Sequence, residues 1–385
     1  MTAAPNFVRL AARGVRGLEP YVPGKPIEDL EREYGLRNVV KLASNENPIG
    51  ASPRAVEAIR AALADVALYP DSAGYRLRHT LAARLGVAPA QLTLGNGSND
   101  ILVLLAEAFL TPRTEAVYSQ FSFLVYALAT QATGATARVA PAIAPHCDQP
   151  RGHDLAAMLA LVGPRTRLVY IANPNNPTGT WLGGGPLREF MERVPRTAIV
   201  VLDEAYCEYV GEADYPQTLP WIGTFPNLVV TRTFSKIHGL AGLRIGYAVS
   251  HPRIAELLNR VRQPFNVNAL AQAAALAAIE DAGHVERSRE VNFQGLRQLG
   301  EGLAKLGLRF SPSAANFMLA DLGRPAAPVY ESLLRSGVIV RPVANYGLPQ
   351  HLRITVGLPA QNDRVLEALG DALGAASSER DLCIT

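Results

Sequence analysis

The sequence contains few cysteines and no long apolar run. Its three cysteines, Cys147, Cys207 and Cys383, are widely spaced and odd in number, so they form neither a disulfide framework nor a zinc motif. No stretch of about 18 uninterrupted apolar residues occurs, which argues against a transmembrane helix. The first residues, MTAAPNFVRLAARG, lack the apolar core of a signal peptide. Together these absences predict a cytoplasmic protein in a reducing compartment.

An excess of one charge is also missing. The 37 basic and 34 acidic residues leave a formal net charge of +3, and neither sign forms a long run. Binding to nucleic acid or to a membrane surface is therefore not predicted. Hydrophobic residues make up 48% of the chain, enough to build a core and to exclude disorder. A length of 385 residues predicts two to three domains, or one large and one small domain.

Short apolar segments alternate with helical patterns through the middle of the chain, which predicts an α/β fold with a mostly parallel, doubly wound sheet. Most of these segments are apolar on both faces, as buried parallel strands are. The expected strands are Gln91–Leu94, Glu115–Tyr118, Arg167–Ile171, Ala198–Leu202, Leu228–Thr231 and Ile245–Val249. The expected helices are Ser98–Phe109, Phe123–Thr133, Asp154–Leu161 and Gly185–Val194.

The chain is expected to divide into three parts. Residues 1–45 form an N-terminal segment that belongs to a small domain. Residues 46–270 form the large domain, and residues 271–385 complete the small domain from the C-terminal side.

The segment TRTFSKIHGLAGLRIGY, residues 231–247, places Lys236 just beyond a buried strand. In α/β proteins this edge of the sheet binds ligands. A desolvated lysine there can form a Schiff base, and the planar guanidinium of Arg244 can bind a phosphate. The alternative is a surface lysine beside a Gly-rich turn, and this motif alone does not decide between the two.

The segment VVLDEAYCEY, residues 200–209, ends an expected strand at Asp203. A buried carboxylate is costly unless it is paired, and a protonated pyridine nitrogen would pair with it. Tyr206 could donate its hydroxyl to a ring oxygen. Taken alone, this motif fits a helix-capping aspartate and a core tyrosine better.

Two further polar motifs follow apolar strands. In NPNNPTG, residues 173–179, Asn176 can donate to a ring oxygen, with a plain tight turn as the alternative. In LGNGSND, residues 94–100, Ser98 or Asn99 opens a helix whose N-terminus can bind phosphate. The latter also resembles half of a dinucleotide fingerprint, although the third glycine is missing.

All four motifs fall just after an apolar strand, so they should converge at one edge of the sheet. A lysine for a Schiff base, an aspartate for a pyridinium, an asparagine and a tyrosine for a phenolic oxygen, and a phosphate site together specify pyridoxal 5'-phosphate.

From LASNENPIG at 42–50 to LRITVG at 352–357, the chain resembles the class I/II aminotransferases of pyridoxal-phosphate fold type I. This resemblance implies a large domain with a mostly parallel sheet and a smaller α/β domain from both chain ends. It implies that Lys236 is the Schiff-base lysine, that Asp203 pairs with the pyridine nitrogen, and that Asn176 and Tyr206 bind O3′. The implied phosphate ligands are Ser98, Asn99, Thr233, Ser235 and Arg244.

The resemblance extends to the substrate side and to a partner subunit. Tyr69, in ALYPDSAGYRLR, resembles the tyrosine that reaches the partner's phosphate, which implies a homodimer. Phe121, in SQFSFLVY, is expected to stack on the pyridine ring, although many relatives read Pro-Thr-Tyr there and a core phenylalanine is the alternative. Arg353 resembles the arginine that binds the substrate's anionic group, and Asn45 is expected beside the substrate.

Within the family, LASNENPIG, YPDSAGYRLR and LRITVG most resemble the histidinol-phosphate aminotransferases. A phosphate dianion favours two arginines, and Arg341 precedes Arg353 by twelve residues. Tyr21 could close the same site, although Arg341 could equally lie at a strand end on the surface and Tyr21 could only pack. The expected reaction is transamination of L-histidinol phosphate with 2-oxoglutarate to imidazole-acetol phosphate and glutamate, in histidine biosynthesis.

Three alternatives remain at this point. An aromatic-amino-acid aminotransferase, acting on phenylalanine or tyrosine with 2-oxoglutarate, would use the same residues. A pyridoxal-phosphate decarboxylase of a phosphorylated amino acid would share the fold and the cofactor. A nucleotide-binding or regulatory module would need LGNGSND to bind a nucleotide. No metal is expected in any of them.

Overall fold

The computed structural model describes the backbone of residues 6–382 and the side chains of residues 6–374, so that Cys383 lies outside it. None of the helices in this described range combines the length and the hydropathy needed to span a bilayer. The α-helices are α1 Phe7–Leu10, α2 Ile27–Tyr34, α3 Pro53–Ala62, α4 Tyr75–Leu85, α5 Ser98–Phe109, α6 Leu124–Ala132, α7 Leu155–Ala160, α8 Gly184–Arg193, α9 Pro252–Val261, α10 Ala269–Ile279, α11 Ala282–Lys305, α12 Ala326–Arg335 and α13 Pro359–Leu382.

The strands of the described range form three sheets. They are β1 Val40–Lys41, β2 Leu92–Gly95, β3 Glu115–Ser119, β4 Thr136–Ala140, β5 Thr166–Ala172, β6 Ile199–Asp203, β7 Leu228–Thr233, β8 Gly246–Ser250, β9 Arg309–Ser311, β10 Phe317–Asp321, β11 Val338–Ile339, β12 Arg341–Val343 and β13 Leu348–Thr355.

The central sheet has seven strands in the order β2-β8-β7-β6-β5-β3-β4. Strands β3 to β7 pair in parallel, whereas β8 runs antiparallel to both of its neighbours, β7 and β2. Residues 234–245, between β7 and β8, contain no α-helix that could carry the chain across the sheet, so the chain reverses there. The start of β8 therefore lies at the same edge as the end of β7.

The six expected strands are found as β2, β3, β5, β6, β7 and β8, with each end within two residues of its expected position. The four expected helices are found as α5, α6, α7 and α8. Strand β4 was not expected because four of its five residues are exposed, so its sequence TARVA lacks the apolar pattern of a buried strand.

Both chain ends contribute to a second structure beside the central sheet. Strand β1 pairs in parallel with β11, and β12-β13-β10-β9 form an antiparallel sheet. Helices α11, α12 and α13 pack on this sheet around buried residues such as Leu303, Leu333 and Leu369.

Helix α10 belongs to the core of the large domain instead and packs against α3 and α4. Its Ala271, Ala274 and Ala278 are buried in the core around the central sheet, so the expected boundary at residue 270 falls beside a helix that belongs to the large core. We propose that the large domain extends to the end of α10 and that the small domain resumes near Asp281, which caps α11.

A tight contact joins the central sheet to α5. A Cβ at Gly246 would lie 2.4 Å from the Ser98 backbone nitrogen and 2.8 Å from the Arg232 carbonyl oxygen. Because these are backbone atoms, we expect Gly246→Ala to lower the free energy of unfolding by about 1–3 kcal/mol, measured by chemical denaturation. A Cβ at Gly242 meets nothing within 4 Å, so Gly242→Ala should stay within about 0.5 kcal/mol of wild type. Equal losses in both variants would contradict this account.

Candidate active site

The carboxyl edge of the central sheet opens into a cavity of about 660 Å³. Strand ends of the central sheet, the antiparallel sheet and the N-terminal segment all contribute to its lining. Most of the residues expected at the site from the sequence line this cavity: Tyr21, Asn45, Ser98, Asn99, Asn176, Asp203, Tyr206, Thr233, Ser235, Lys236, Arg244, Arg341 and Arg353.

Lys236 lies just after β7 and points into the cavity region. Its Nζ donates to the Ser44 carbonyl oxygen at 3.1 Å and lies 5.7 Å from the centre of the Tyr206 ring. Burial and the charge of Arg353 lower the pKa of Lys236 from 10.5 to about 7. The neutral amine is the nucleophilic form, so Lys236 can attack an aldehyde near neutral pH.

Asp203 is the last residue of β6 and is 5% exposed. The Tyr126 hydroxyl donates to its Oδ2 at 3.0 Å, and the Thr231 hydroxyl donates to its Oδ1 at 3.1 Å. Burial raises the pKa of Asp203 to about 6, and these two hydrogen bonds oppose that rise. A cationic ring nitrogen beside this carboxylate would favour its charged form.

Asn45, Tyr206 and Thr355 form a buried polar group on the other side of the cavity. Asn45 Nδ2 donates to the Tyr206 hydroxyl oxygen at 2.9 Å, and the Thr355 hydroxyl donates to Asn45 Oδ1 at 3.0 Å. Burial raises the pKa of Tyr206 to about 12, so this hydroxyl keeps its proton and can donate to a ligand oxygen. Asn176 Oδ1 accepts from Arg353, which leaves the Asn176 amide nitrogen as a donor.

The N-terminus of α5 and Arg244 meet at the same edge. Gly97 has φ of 81°, and a Cβ there would lie 2.6 Å from Arg244 Nη2. Arg244 Nη1 donates to Ser235 Oγ at 3.4 Å. A helix N-terminus beside a guanidinium is a phosphate site, and the reversal of the chain into β8 brings Arg244 to it.

Arg341 and Arg353 are directly opposite each other on the antiparallel strands β12 and β13. Both are buried, at 7% and 6% exposure. Arg341 Nη2 donates to the Val22 carbonyl oxygen at 2.7 Å, and its Cζ lies 5.6 Å from the centre of the Tyr21 ring. The two arginines expected for the anionic group are thus brought to one face, with the N-terminal segment beside them.

Two expected residues do not line the cavity. The ring of Phe121 packs on an apolar cluster that includes Val343 and Tyr346, whereas Phe123, two residues later, lines the cavity. Phe123 is the N-cap residue of α6, so the helix begins directly after the ring that lines the cavity. Tyr69 is 83% exposed and stacks on Phe265 at 4.7 Å, outside the cavity of its own chain.

The sequence analysis missed several residues that the structure places at the site. Tyr346 lines the cavity at 7% exposure, and no feature of its sequence context distinguishes it from a core tyrosine. Phe123 and Tyr126 are three residues apart at the start of α6, a helical spacing that could have indicated a shared face. Within residues 6–374, no group of three or more His, Cys, Asp or Glu side chains is arranged to hold a metal ion.

Residues 37–369 match the family described as aminotransferase class I and II. The chain is 56% identical to histidinol-phosphate aminotransferase 2 of Pseudomonas fluorescens over 373 residues, which cover 96% of this chain and 99% of that protein. It is 55% identical to histidinol-phosphate aminotransferase 2 of Pseudomonas aeruginosa over 370 residues, with 96% and 99% of the two chains covered.

Solved structures confirm the expected fold. The crystal structure of histidinol-phosphate aminotransferase from Sinorhizobium meliloti in complex with pyridoxal-5'-phosphate matches with a TM-score of 0.85 at 30% identity, covering 95% of this chain and 98% of that one. The aspartate aminotransferase of Thermus thermophilus with maleate shares the fold, with a TM-score of 0.80 at 22% identity and coverage of 94% and 99%. Because the family match spans most of the sequence and relatives of more than half identity span nearly all of it, this chain belongs to the class I and II aminotransferases.

Proposed function

We propose that this protein transfers the amino group of L-histidinol phosphate to 2-oxoglutarate with pyridoxal 5'-phosphate as cofactor. The products are imidazole-acetol phosphate and glutamate, which places the enzyme in histidine biosynthesis. The names of the two Pseudomonas relatives support this substrate. The observation that carries it within this chain is the buried pair of Arg341 and Arg353 on adjacent strands.

Two guanidinium groups opposite each other repel, and burial removes the water that would screen them. A substrate that brings one carboxylate offsets one of these charges. A phosphate monoester brings up to two negative charges and offsets both. The pair therefore favours a substrate with a phosphate group where an amino acid has its α-carboxylate.

The residues at the sheet edge fit pyridoxal phosphate. When bound, the cofactor supplies an aldehyde and a ring that accepts electrons. We assign Asp203 to the ring nitrogen, Asn176 and Tyr206 to O3′, and Phe123 to the face of the ring. The phosphate ligands in this assignment are Ser98, Asn99, Thr233, Ser235 and Arg244, which surround the N-terminus of α5 and the segment between β7 and β8.

Lys236 has two roles in this proposal. Its neutral amine would hold the cofactor through the aldehyde, with loss of water. Once the substrate amine has taken its place there, the freed amine of Lys236 would take the proton from the substrate Cα as a base and return it at the cofactor C4′ as an acid. Arg341 and Arg353 hold the phosphate of the substrate. Tyr21, half-exposed beside Arg341, excludes water from that end of the cavity.

We also propose that the chain forms a homodimer in which Tyr69 reaches the cofactor phosphate of the partner subunit. Tyr69 is exposed and stacks on Phe265, which is also exposed, and the preceding apolar residues Leu63, Val66 and Leu68 are exposed as well. Exposed apolar side chains that lie together are typical of an interaction surface. A cytoplasmic location is part of the proposal and is supported by the free thiols of Cys147 and Cys207.

The substrate is tested by steady-state kinetics with 2-oxoglutarate on Arg341→Gln. We expect kcat/KM for L-histidinol phosphate to fall by roughly 10- to 100-fold, because a hydrogen bond to a charged group is lost. The value for L-phenylalanine should change by less than about threefold, since a single carboxylate is satisfied by Arg353.

Arg335→Gln, on the exposed surface of α12, is the matched control and should leave both values unchanged. If kcat/KM of Arg341→Gln fell equally for both substrates, the arginine pair would not favour a phosphate dianion over a carboxylate. A wild-type preference for phenylalanine would identify an aromatic-amino-acid aminotransferase instead, with the same Lys236 chemistry.

The lowered pKa of Lys236 predicts how cofactor attachment depends on pH. The charged amine predominates below about pH 7 and the neutral amine above it, so covalent capture of pyridoxal phosphate by the apoenzyme should accelerate as pH rises through about 7. Stopped-flow absorbance measures this rate. Lys236→Ala should bind the cofactor only noncovalently and should lose turnover. A midpoint near the ordinary lysine value of 10.5 would contradict the effect of burial and of Arg353.

The role of Tyr69 across a dimer is tested with hybrids of Tyr69→Ala and Lys236→Ala subunits, co-expressed with different tags. Each parent dimer should have little or no activity. In the hybrid, the subunit that retains Lys236 receives Tyr69 from its partner, so one of two sites is complete and activity should return to about half of wild type. If Tyr69 acted within its own chain, the hybrid would be as inactive as its parents.

A further inference from the structure

Tyr126 contacts Asp203 from outside the cavity. It lies on α6, is fully buried, and donates its hydroxyl to Asp203 Oδ2 at 3.0 Å. It does not line the cavity, so no ligand there touches it. Its hydroxyl therefore acts on the site through the Asp203 carboxylate.

Two aromatic contacts fix the Tyr126 ring. It stacks on Tyr170 of β5 with the ring centres 4.7 Å apart and the planes within 5° of parallel. Phe123, one helical turn earlier, meets it edge to face at 5.9 Å. Because the ring is held on two sides, its hydroxyl has a fixed position relative to the end of β6.

A second donor holds the other oxygen of the same carboxylate. The Thr231 hydroxyl, on the neighbouring strand β7, donates to Asp203 Oδ1 at 3.1 Å. With a hydroxyl donor on each oxygen and a further hydrogen bond from the Ala205 backbone, the carboxylate is held in one orientation. Burial and the neighbouring Asp203 carboxylate raise the pKa of Tyr126 well above 10, so its hydroxyl remains a donor near neutral pH.

The ionisable groups around Asp203 are few. Glu204, the next residue, raises the pKa of Asp203 through its negative charge. Lys236 and Tyr206 face it across the cavity. The hydrogen bonds from Tyr126 and Thr231 oppose the effects of burial and of Glu204 by favouring the carboxylate.

We propose that Tyr126 is a positioning residue, which holds Asp203 as an oriented anion against the ring nitrogen of pyridoxal phosphate. This inference rests on the proposed function, since it assumes that the cofactor binds with its ring nitrogen on Asp203. Tyr126 and Phe123, one helical turn apart, then both act on the cofactor ring. Phe123 contacts the face of the ring, and Tyr126 holds Asp203, which pairs with the ring nitrogen.

The test compares Tyr126→Phe with Tyr170→Phe. Each variant removes one buried hydroxyl from the same stacked pair, but the Tyr170 hydroxyl contacts only the Leu102 carbonyl oxygen, at 3.5 Å. The measurements are the dissociation constant of pyridoxal phosphate from the apoenzyme and its dependence on pH. Thermal unfolding of both apo variants reports whether they are folded.

We expect Tyr126→Phe to weaken cofactor binding roughly tenfold, because the removed hydrogen bond is to a charged group. In wild type, affinity should fall as pH drops through the pKa of Asp203, where the carboxylate gains a proton. Without the Tyr126 hydrogen bond that pKa is higher, so Tyr126→Phe should lose affinity at a higher pH than wild type. Tyr170→Phe should stay within about twofold of wild type at every pH.

A Tyr126→Phe variant with wild-type affinity and pH profile would overturn the inference. Equal weakening in both variants without a pH shift would also overturn it, because it would indicate a loss of packing. The variant Asp203→Asn distinguishes a failure of the role proposed for Tyr126 from a failure of the proposed function. If Asp203→Asn binds the cofactor as wild type does, the assignment of Asp203 itself is wrong. If Asp203→Asn loses affinity and Tyr126→Phe does not, only the role of Tyr126 is wrong.

Discussion

The site is organised around a carboxylate buried at the end of a central strand. Asp203 ends β6, which lies between β5 and β7 in the middle of the sheet, so water cannot stabilise its charge. Such a group persists as an anion only with hydrogen-bond donors and an opposite charge nearby. The neighbouring strand β7 provides one donor through Thr231, and α6 provides the other through Tyr126, whose ring rests on Tyr170 of β5. Two strands and a helix thus pack so that their side chains stabilise the Asp203 carboxylate.

Burial shifts the pKa values of Lys236 and Asp203 toward each other. It lowers the pKa of the lysine to about 7 and raises that of the aspartate to about 6, so near neutral pH each group changes its charge far more readily than it would in water. A ligand that offers an aldehyde to the amine and a cationic nitrogen to the carboxylate satisfies both at once. Groups in a cleft whose pKa values are shifted by burial and by a charged neighbour are typical of functional sites.

The sequence predicted the elements that are buried on both faces and the polar residues that follow them, because burial gives an apolar pattern and a strand end gives a polar one. It could not predict that β8 runs antiparallel, since residue patterns in a strand do not encode its direction. Phe121 and Phe123 both lie in SQFSF, and only the start of α6 decides which ring meets the cavity. The register that places Arg341 opposite Arg353 depends on a three-residue strand that itself contains a register shift, and so short a strand leaves almost no pattern in the sequence.

The reversal of the chain between β7 and β8 has a further consequence. Lys236 and Arg244 are only eight residues apart, and both ends of their segment are fixed by neighbouring strands of one sheet. The spacing between the amine and the guanidinium is thus set by a short length of covalent chain and does not depend on how the antiparallel sheet sits against the central one. Under the proposed assignment of Lys236 and Arg244, this segment sets the distance between the aldehyde and the phosphate of the molecule that the site accepts.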